Sequence, residues 1–172
     1  MPEPHKGTYL YAIEIPSKGG NTRFTNMYRA YEKLPKNFKD LLAEKTAVQV
    51  YDYGLTDKPD IDGDLTGIHH RSQPIFVRHP DTGLTALYVN RLMTAIINGF
   101  DRSQSDEILQ ELYKVSESPD NIYEHVWSPG DLIMWDNFAS CHARTDFPSH
   151  ERRVMRRCTT VGGRMIPAKR AA

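Results

Sequence analysis

The stretch Trp135-Asp136-Asn137-Phe138-Ala139-Ser140-Cys141-His142, with Arg153 and Arg157 downstream, decides how this chain is read. The histidine precedes the two arginines by 11 and 15 residues (153 − 142 and 157 − 142). A neutral imidazole nitrogen binds a transition metal. A guanidinium holds a carboxylate through two parallel hydrogen bonds. A metal ligand followed by two carboxylate clamps suggests a place where a metal and an acidic small molecule meet. Leu132 to Trp135 is an apolar strand just ahead of the histidine, and Arg153 to Val161 reads as the last strand. Side chains alternate along a strand, so Arg153, Met155 and Arg157 share one face and Arg152, Val154 and Arg156 the other. The two arginines on the shared face lie roughly 13 Å apart at about 3.3 Å per residue, which suits two anions or two ends of one cavity. Spacing alone more often means a charged strand with its arginines on a solvated face, and a lone histidine is usually a hydrogen-bonded structural residue.

Working outward, Thr8 to Ile15 alternates with Tyr, Leu and Ile and reads as a strand. Ser17-Lys18-Gly19-Gly20-Asn21 reads as a loop, because paired glycines permit positive φ. Thr25 is placed to cap a helix over Asn26 to Lys33, interrupted by Pro35, and a second short helix follows from Asn37 to about Glu44. Thr46 to Tyr53 is β-rich, and Gly54 to Gly67 reads as an exposed loop. Pro74 to Arg78 and Leu84 to Val89 are β-type runs joined by His79-Pro80-Asp81-Thr82-Gly83, where Gly83 suits the left-handed position of a short hairpin loop. Ser103, with Asp106 three residues on, reads as the cap of a helix whose buried face is Ile108, Leu109, Leu112 and Val115. Ile122 to Trp127 is a strand, and Ser128-Pro129-Gly130-Asp131 is a turn into Leu132. Short strands punctuated by turns favour a β-sandwich or jelly roll with helices packed outside.

The totals narrow the class. One domain fits 172 residues with a sizeable core. Lys+Arg and Asp+Glu are both 22, so no basic excess marks a nucleic-acid binder. No apolar run is long enough to span a bilayer, and Met1-Pro2-Glu3-Pro4-His5-Lys6 lacks the apolar core of a signal peptide. The two cysteines, Cys141 and Cys158, give no disulfide framework, so a reducing cytoplasm is the expected compartment.

Four motifs stand in order: Gly19-Gly20-Asn21-Thr22; His79-Pro80-Asp81-Thr82-Gly83 running into Ala86-Leu87-Tyr88-Val89-Asn90; Pro129-Gly130-Asp131 with Trp135-Asp136-Asn137; and His142 ahead of Arg153 and Arg157. Together they resemble the taurine dioxygenase (TauD/TfdA) family of iron(II)- and 2-oxoglutarate-dependent dioxygenases, over nearly the whole chain. The resemblance implies a mainly β fold, a double-stranded β-helix (jelly roll) with flanking helices, forming one partial domain over 1–172. It implies His142 as the distal iron-binding histidine, Arg153 on the far carboxylate of 2-oxoglutarate, Thr22 donating to that carboxylate, and Arg157 on the anionic group of a small sulfonate or carboxylate substrate. The partners implied are that substrate and O2.

The family pattern also asks for a His-x-Asp or His-x-Glu pair to complete the iron site. By the resemblance it would fall a handful of residues before Met1, so the jelly roll is expected to be incomplete at its N-terminus. The 172-residue chain is then either part of an active enzyme or a remnant that binds organic acids without turnover. The one His-x-Asp present, His79 and Asp81, sits at a hairpin tip, which is expected to point to solvent rather than into a barrel. Adjacent His69 and His70 read as a loop edge, His125 as structural, and His5 and His150 as exposed. Trp127 and Trp135 read as core, and Asp136 and Asn137 as turn residues rather than supports for His142. A sheet edge left open leaves room for a homo-oligomer.

Overall fold

The computed structural model of the chain describes residues 3–51 and 66–168. Its strands are β1 (Gly7–Glu14), β2 (Thr22–Asn26), β3 (Thr46–Val50), β4 (His70–Pro74), β5 (Phe76–Arg78), β6 (Thr85–Leu87), β7 (Thr94–Ile97), β8 (Ile122–His125), β9 (Leu132–Asp136), β10 (Ser140–Arg144), β11 (Val154–Thr159) and β12 (Ile166–Pro167). Its α-helices are α1 (Met27–Lys33), α2 (Lys36–Leu42) and α3 (Arg102–Ser116). The strands form four three-stranded sheets, ordered β11-β1-β9, β10-β2-β8, β12-β5-β6 and β4-β3-β7, and every pairing is antiparallel. This is the jelly-roll architecture expected from the sequence, with the helices packed beside the sheets. No helix among the described residues is long and apolar enough to cross a membrane.

The main core lies where α1 and α3 cover β5, β6 and β7. Met27 and Ala30 of α1, Leu109 and Leu112 of α3, and Phe76, Val77, Ala86, Leu87 and Ile97 from the strands are all buried there. Removing such a side chain, as in Leu112→Ala, costs about 2–5 kcal/mol. Ile108 and Val115 pack against the same cluster, so the helical stripe read from the sequence is the one used. The β5–β6 hairpin also forms as expected: the His79 amide donates to the Leu84 carbonyl, and Gly83 takes φ 72°.

Several local expectations change. Asn26, not Thr25, caps α1: its side chain accepts from the Arg29 amide at 3.0 Å, while Thr25 belongs to β2. Asp101, not Ser103, caps α3 in a reciprocal capping box with Gln104, because the helix already starts at Arg102, one residue before the expected cap. Strands β2, β4, β7, β10 and β12 have no counterpart in the sequence reading, so the run expected to be the last strand is followed by β12, and β4 takes in His70, read there as a loop edge. Residues 52 and 53, and 54 to 65 of the expected loop, lie outside the described residues.

Candidate active site

Two of the sheets face each other across the gap that holds the candidate residues. In β1, Thr8 and Ala12 are buried while Tyr11 and Ile13 are exposed, so the even-numbered residues point into the gap. Directly opposed residues of an antiparallel pair share a face. Thr8 is opposite Trp135 and Thr159, Leu10 is opposite Ile133 and Arg157, and Ala12 is opposite Met155. Arg157 and Met155 therefore project from the gap side of β11, while Arg156 and Cys158 lie opposite Tyr11 and Tyr9 on the outer face. From Met155 to Cys158 this is the alternation read from the sequence, but β11 runs Val154–Thr159 rather than from Arg153 to Val161, so Arg152 and Arg153 precede the strand and the pairing does not fix their faces.

The facing sheet supplies the histidine. In β10, His142 is opposite Phe24 of β2 and Arg144 is opposite Thr22. Trp135 reaches across from β9: its ring centroid is 4.8 Å from that of His142 and 5.2 Å from that of Phe24. His142 is open to solvent, yet this crowding disfavours its charged form. Burial pushes its pKa below 6.5, and the positive charge of Arg157 pushes it further the same way. The imidazole is thus held neutral, the form that can ligate a metal.

Arg153 lies one residue ahead of β11 and turns to the loop after β1. Its Nε donates to the Gly20 carbonyl at 2.8 Å. Burial, and next the nearby charge of Arg144, lower its pKa. Gly20 has φ 66°, and a Cβ there would come within 3.1 Å of Arg153 Cδ. A glycine is needed both for the backbone angle and for the close approach of the arginine. Thr22 is buried, and its hydroxyl accepts the indole N–H of Trp127 at 3.0 Å. That leaves the hydroxyl hydrogen free to donate to an anion.

The remaining histidines are accounted for otherwise. The hairpin tip from Pro80 to Gly83 faces solvent as read, but His79 at its base is buried at 4% exposure, so for the histidine that expectation fails. Tyr28 and Phe138 pack edge-on against its ring and cover it. Its Nε2 pairs with Asp136 Oδ2 at 2.9 Å, and its Nδ1 accepts from the amides of Asp81 and Thr82. The Asp81 carboxylate turns away to Lys6, so the two do not aim at a common ion. His125 pairs with Asp131 and stacks edge-on against Trp127, a structural role. His150 is exposed, while His5 is half-buried rather than exposed. Trp127 and Trp135 are buried, as read.

Asp136 ends β9, and Asn137 opens the turn that leads into β10. Asp136 Oδ1 accepts from the Phe138 amide at 2.7 Å. Asn137 Oδ1 accepts from the Trp135 indole at 2.9 Å, and its Nδ2 donates to Thr8 Oγ1 at 2.9 Å. Asn137 thereby fixes the indole against which His142 packs. The sequence reading missed Trp127 as the partner of Thr22 and Arg144 as a third arginine on this side. Parity from His142 would have found Arg144 had β10 been recognised.

Among the described residues, no group of three or more His, Cys, Asp or Glu side chains could hold a metal ion. His142 offers one nitrogen, and these residues alone do not complete a metal site. The same residues fit an organic anion well. None of Arg144, Arg153 and Arg157 forms an ion pair with a carboxylate among the described residues, whereas Arg23, Arg29, Arg91 and Arg152 each do.

Comparison with known proteins identifies the family and the fold. A family model described as "Taurine catabolism dioxygenase TauD, TfdA family" matches residues 1–159. Pentalenolactone F synthase of Streptomyces avermitilis is 36% identical, with 89% of this chain and 55% of that protein covered. The (S)-phenoxypropionate/alpha-ketoglutarate-dioxygenase of Sphingobium herbicidovorans is 31% identical, with 90% and 57% covered. The chain thus spans about half the length of these curated relatives. Among solved structures, AAD-2 in complex with Mn(II) and N-oxalylglycine superposes with a TM-score of 0.85 at 26% identity, covering 95% of this chain and 66% of that one. A taurine dioxygenase from Burkholderia xenovorans gives 0.84 at 26% identity, covering 96% and 55%.

Proposed function

Since the chain belongs to the TauD/TfdA family, we propose that it carries the anion-binding half of an iron(II)- and 2-oxoglutarate-dependent dioxygenase acting on a small anionic substrate. The single observation behind this is the convergence of His142, Thr22, Arg153 and Arg157 on one gap between two sheets, with the arginines unpaired by protein carboxylates. In this reading His142 contributes one metal ligand. Arg153 and Thr22 hold the far carboxylate of 2-oxoglutarate, and Arg157 meets the anionic group of the substrate. Guanidinium suits both tasks, since its planar fork matches a carboxylate or sulfonate and stays charged at any physiological pH. Iron bound at such a site supplies oxygen activation coupled to conversion of 2-oxoglutarate to succinate and carbon dioxide. The protein's own contribution is orientation: anchoring both acids fixes the reacting carbon against the metal and cuts the entropy of their encounter. Two of the relatives support the anionic class by name, a phenoxypropionate dioxygenase and a sulfate ester dioxygenase of Pseudomonas putida. The two unpaired cysteines suit a reducing cytoplasm.

A second reading is a protein that binds organic acids without oxidising them. The absence of a three-ligand metal group among the described residues favours it. One experiment separates the two. The protein is supplied with iron(II), oxygen, 2-oxoglutarate and a panel of carboxylates, sulfonates and sulfate esters, and succinate is measured. Iron-dependent succinate supports the dioxygenase. Saturable 2-oxoglutarate binding without succinate, both from the chain by itself and from the chain joined to the remaining half that its relatives span, supports the binder, and no binding at all removes both.

A further inference from the structure

We propose that Arg144 is a second guanidinium on the far carboxylate of the bound 2-oxo acid, closing a three-sided seat with Arg153 and Thr22 and selecting a dicarboxylate over a monocarboxylate. The proposal rests on the cosubstrate reading above and adds a residue to it. Four observations carry it. Arg144 lies two residues after His142 in β10 and directly opposite Thr22, so it projects on the side of the sheet that faces the gap. Its guanidinium carbon sits 4.8 Å over the Phe147 ring, which holds the group in place without neutralising it. It has no carboxylate partner among the described residues. Its charge is felt at Arg153, after burial, as a lowering of that group's pKa.

The backbone fixes this closeness. Asn21 and Thr145 exchange two bonds, with the Asn21 amide donating to Thr145 Oγ1 and the Thr145 amide to the Asn21 carbonyl, both at 2.9 Å. The Gly20 amide donates to the Asp146 carbonyl at 3.1 Å. The loop that receives Arg153 is therefore tied to the end of the strand that carries Arg144. Arg153 has committed its Nε to Gly20, which leaves its two terminal nitrogens for a ligand. Thr22 has committed an acceptor position to Trp127, which leaves its hydrogen. A carboxylate offers about four lone-pair positions, enough for one guanidinium edge, a second guanidinium and a hydroxyl together. Arg144 is exposed and Arg153 half-buried, and two neighbouring like charges without a protein anion between them repel, which makes a charged end group the natural occupant.

The test compares two ligands of equal carbon number, 2-oxoglutarate and 2-oxopentanoate, which differ only in the far carboxylate. Their binding to the 172-residue chain is measured by calorimetry or ligand-observed NMR for the parent, Arg144→Gln, Arg144→Lys and Arg153→Gln. Folding of each variant is checked by tryptophan fluorescence, and Arg144→Lys stands in if Arg144→Gln does not fold. Arg144→Gln should weaken 2-oxoglutarate about 10- to 100-fold, the range for losing a hydrogen bond to a charged group, and leave 2-oxopentanoate unchanged. Arg144→Lys should lose part of that. Equal weakening of both ligands would mean Arg144 only supports the fold, and the proposal fails. Loss in Arg153→Gln with none in Arg144→Gln also sinks the proposal but leaves the cosubstrate reading standing. A parent chain that does not prefer 2-oxoglutarate to 2-oxopentanoate, or an Arg153→Gln variant that binds as the parent does, overturns the cosubstrate reading itself.

Discussion

The indole N–H of Trp127 donates to the Thr22 hydroxyl across 3.0 Å, and both residues are buried. The bond joins the second residue after β8 to the first residue of β2. It fixes which way the hydroxyl hydrogen points. Thr22→Val should leave the indole donor buried and unpaired, at a cost of about 1–3 kcal/mol, while Thr22→Ser should cost less. Urea denaturation reads this as a lower midpoint at unchanged slope. A Thr22→Val midpoint equal to that of the parent would mean the bond contributes nothing in solution.

His142 should titrate below 6.5, with burial as the larger cause and Arg157 as the lesser. Its neutral form is the one the fold favours. The stability it contributes is therefore present above the unfolded-state pKa and is lost as pH falls through the folded-state value. Arg157→Gln should raise the His142 pKa without bringing it back to 6.5, because burial remains. NMR titration of the imidazole checks both statements, and a parent value at or above 6.5 contradicts them.

Arg152 and Arg153 carry equal charge on adjacent residues, and they should behave differently. Arg152 is exposed and pairs with Glu14 at 3.3 Å, whereas Arg153 turns in to Gly20. Arg153→Ala should weaken 2-oxoglutarate binding by about 2–5 kcal/mol. Arg152→Ala should change it by about 0–1 kcal/mol. Gly20→Ala should also weaken binding, since the new methyl lies against the Arg153 side chain and φ is positive. Equal effects of the two arginine substitutions would show that the register of β11 is misjudged.

Asp136 bridges the buried His79 and the Phe138 amide. Asp136→Ala strands both donors and should cost about 1–3 kcal/mol or more. Asp136→Asn keeps an acceptor and should cost less. The same denaturation experiment checks the order, and an Asp136→Ala variant as stable as the parent would deny the bridge any role in holding the turn ahead of His142.

What the sequence revealed depended on whether a strand carries its own hydrophobic pattern. Strand β1 alternates Tyr, Leu and Ile, and β11 sits between charged residues whose parity is plain, so both were legible. Strand β10, Ser140-Cys141-His142-Ala143-Arg144, has no apolar alternation and is exposed over its last three residues. It is a strand because β2 pairs with it, and β2 is a strand because β10 and β8 flank it. Such mutual pairing is a tertiary fact that local propensity does not encode. The burial of His79 was hidden for a related reason: the tip of its hairpin is exposed, but its own ring is covered by Tyr28 and Phe138, which come from distant parts of the chain.

The order of strands in the sheet β11-β1-β9 has a kinetic consequence. Thr8 pairs with Thr159, 151 residues later (159 − 8), and β1's other partner, β9, is only slightly nearer in sequence. At about 5–20 residues per second on the ribosome, roughly 8–30 s pass between synthesis of the first strand and of its last neighbour. The elements α1, β5, β6, β7 and α3 are all made by Ser116, before Phe138 and Met165 of the same core, so most of that core can collapse while β1 and β2 still lack their later partners. Closing so long a loop slows folding and leaves those edges exposed to intermolecular pairing. The gap holding His142, Arg153 and Arg157 is then the last part of the chain to exist. Its yield is set by chain closure, which makes slow translation, low temperature and chaperone supply the levers on recoverable binding.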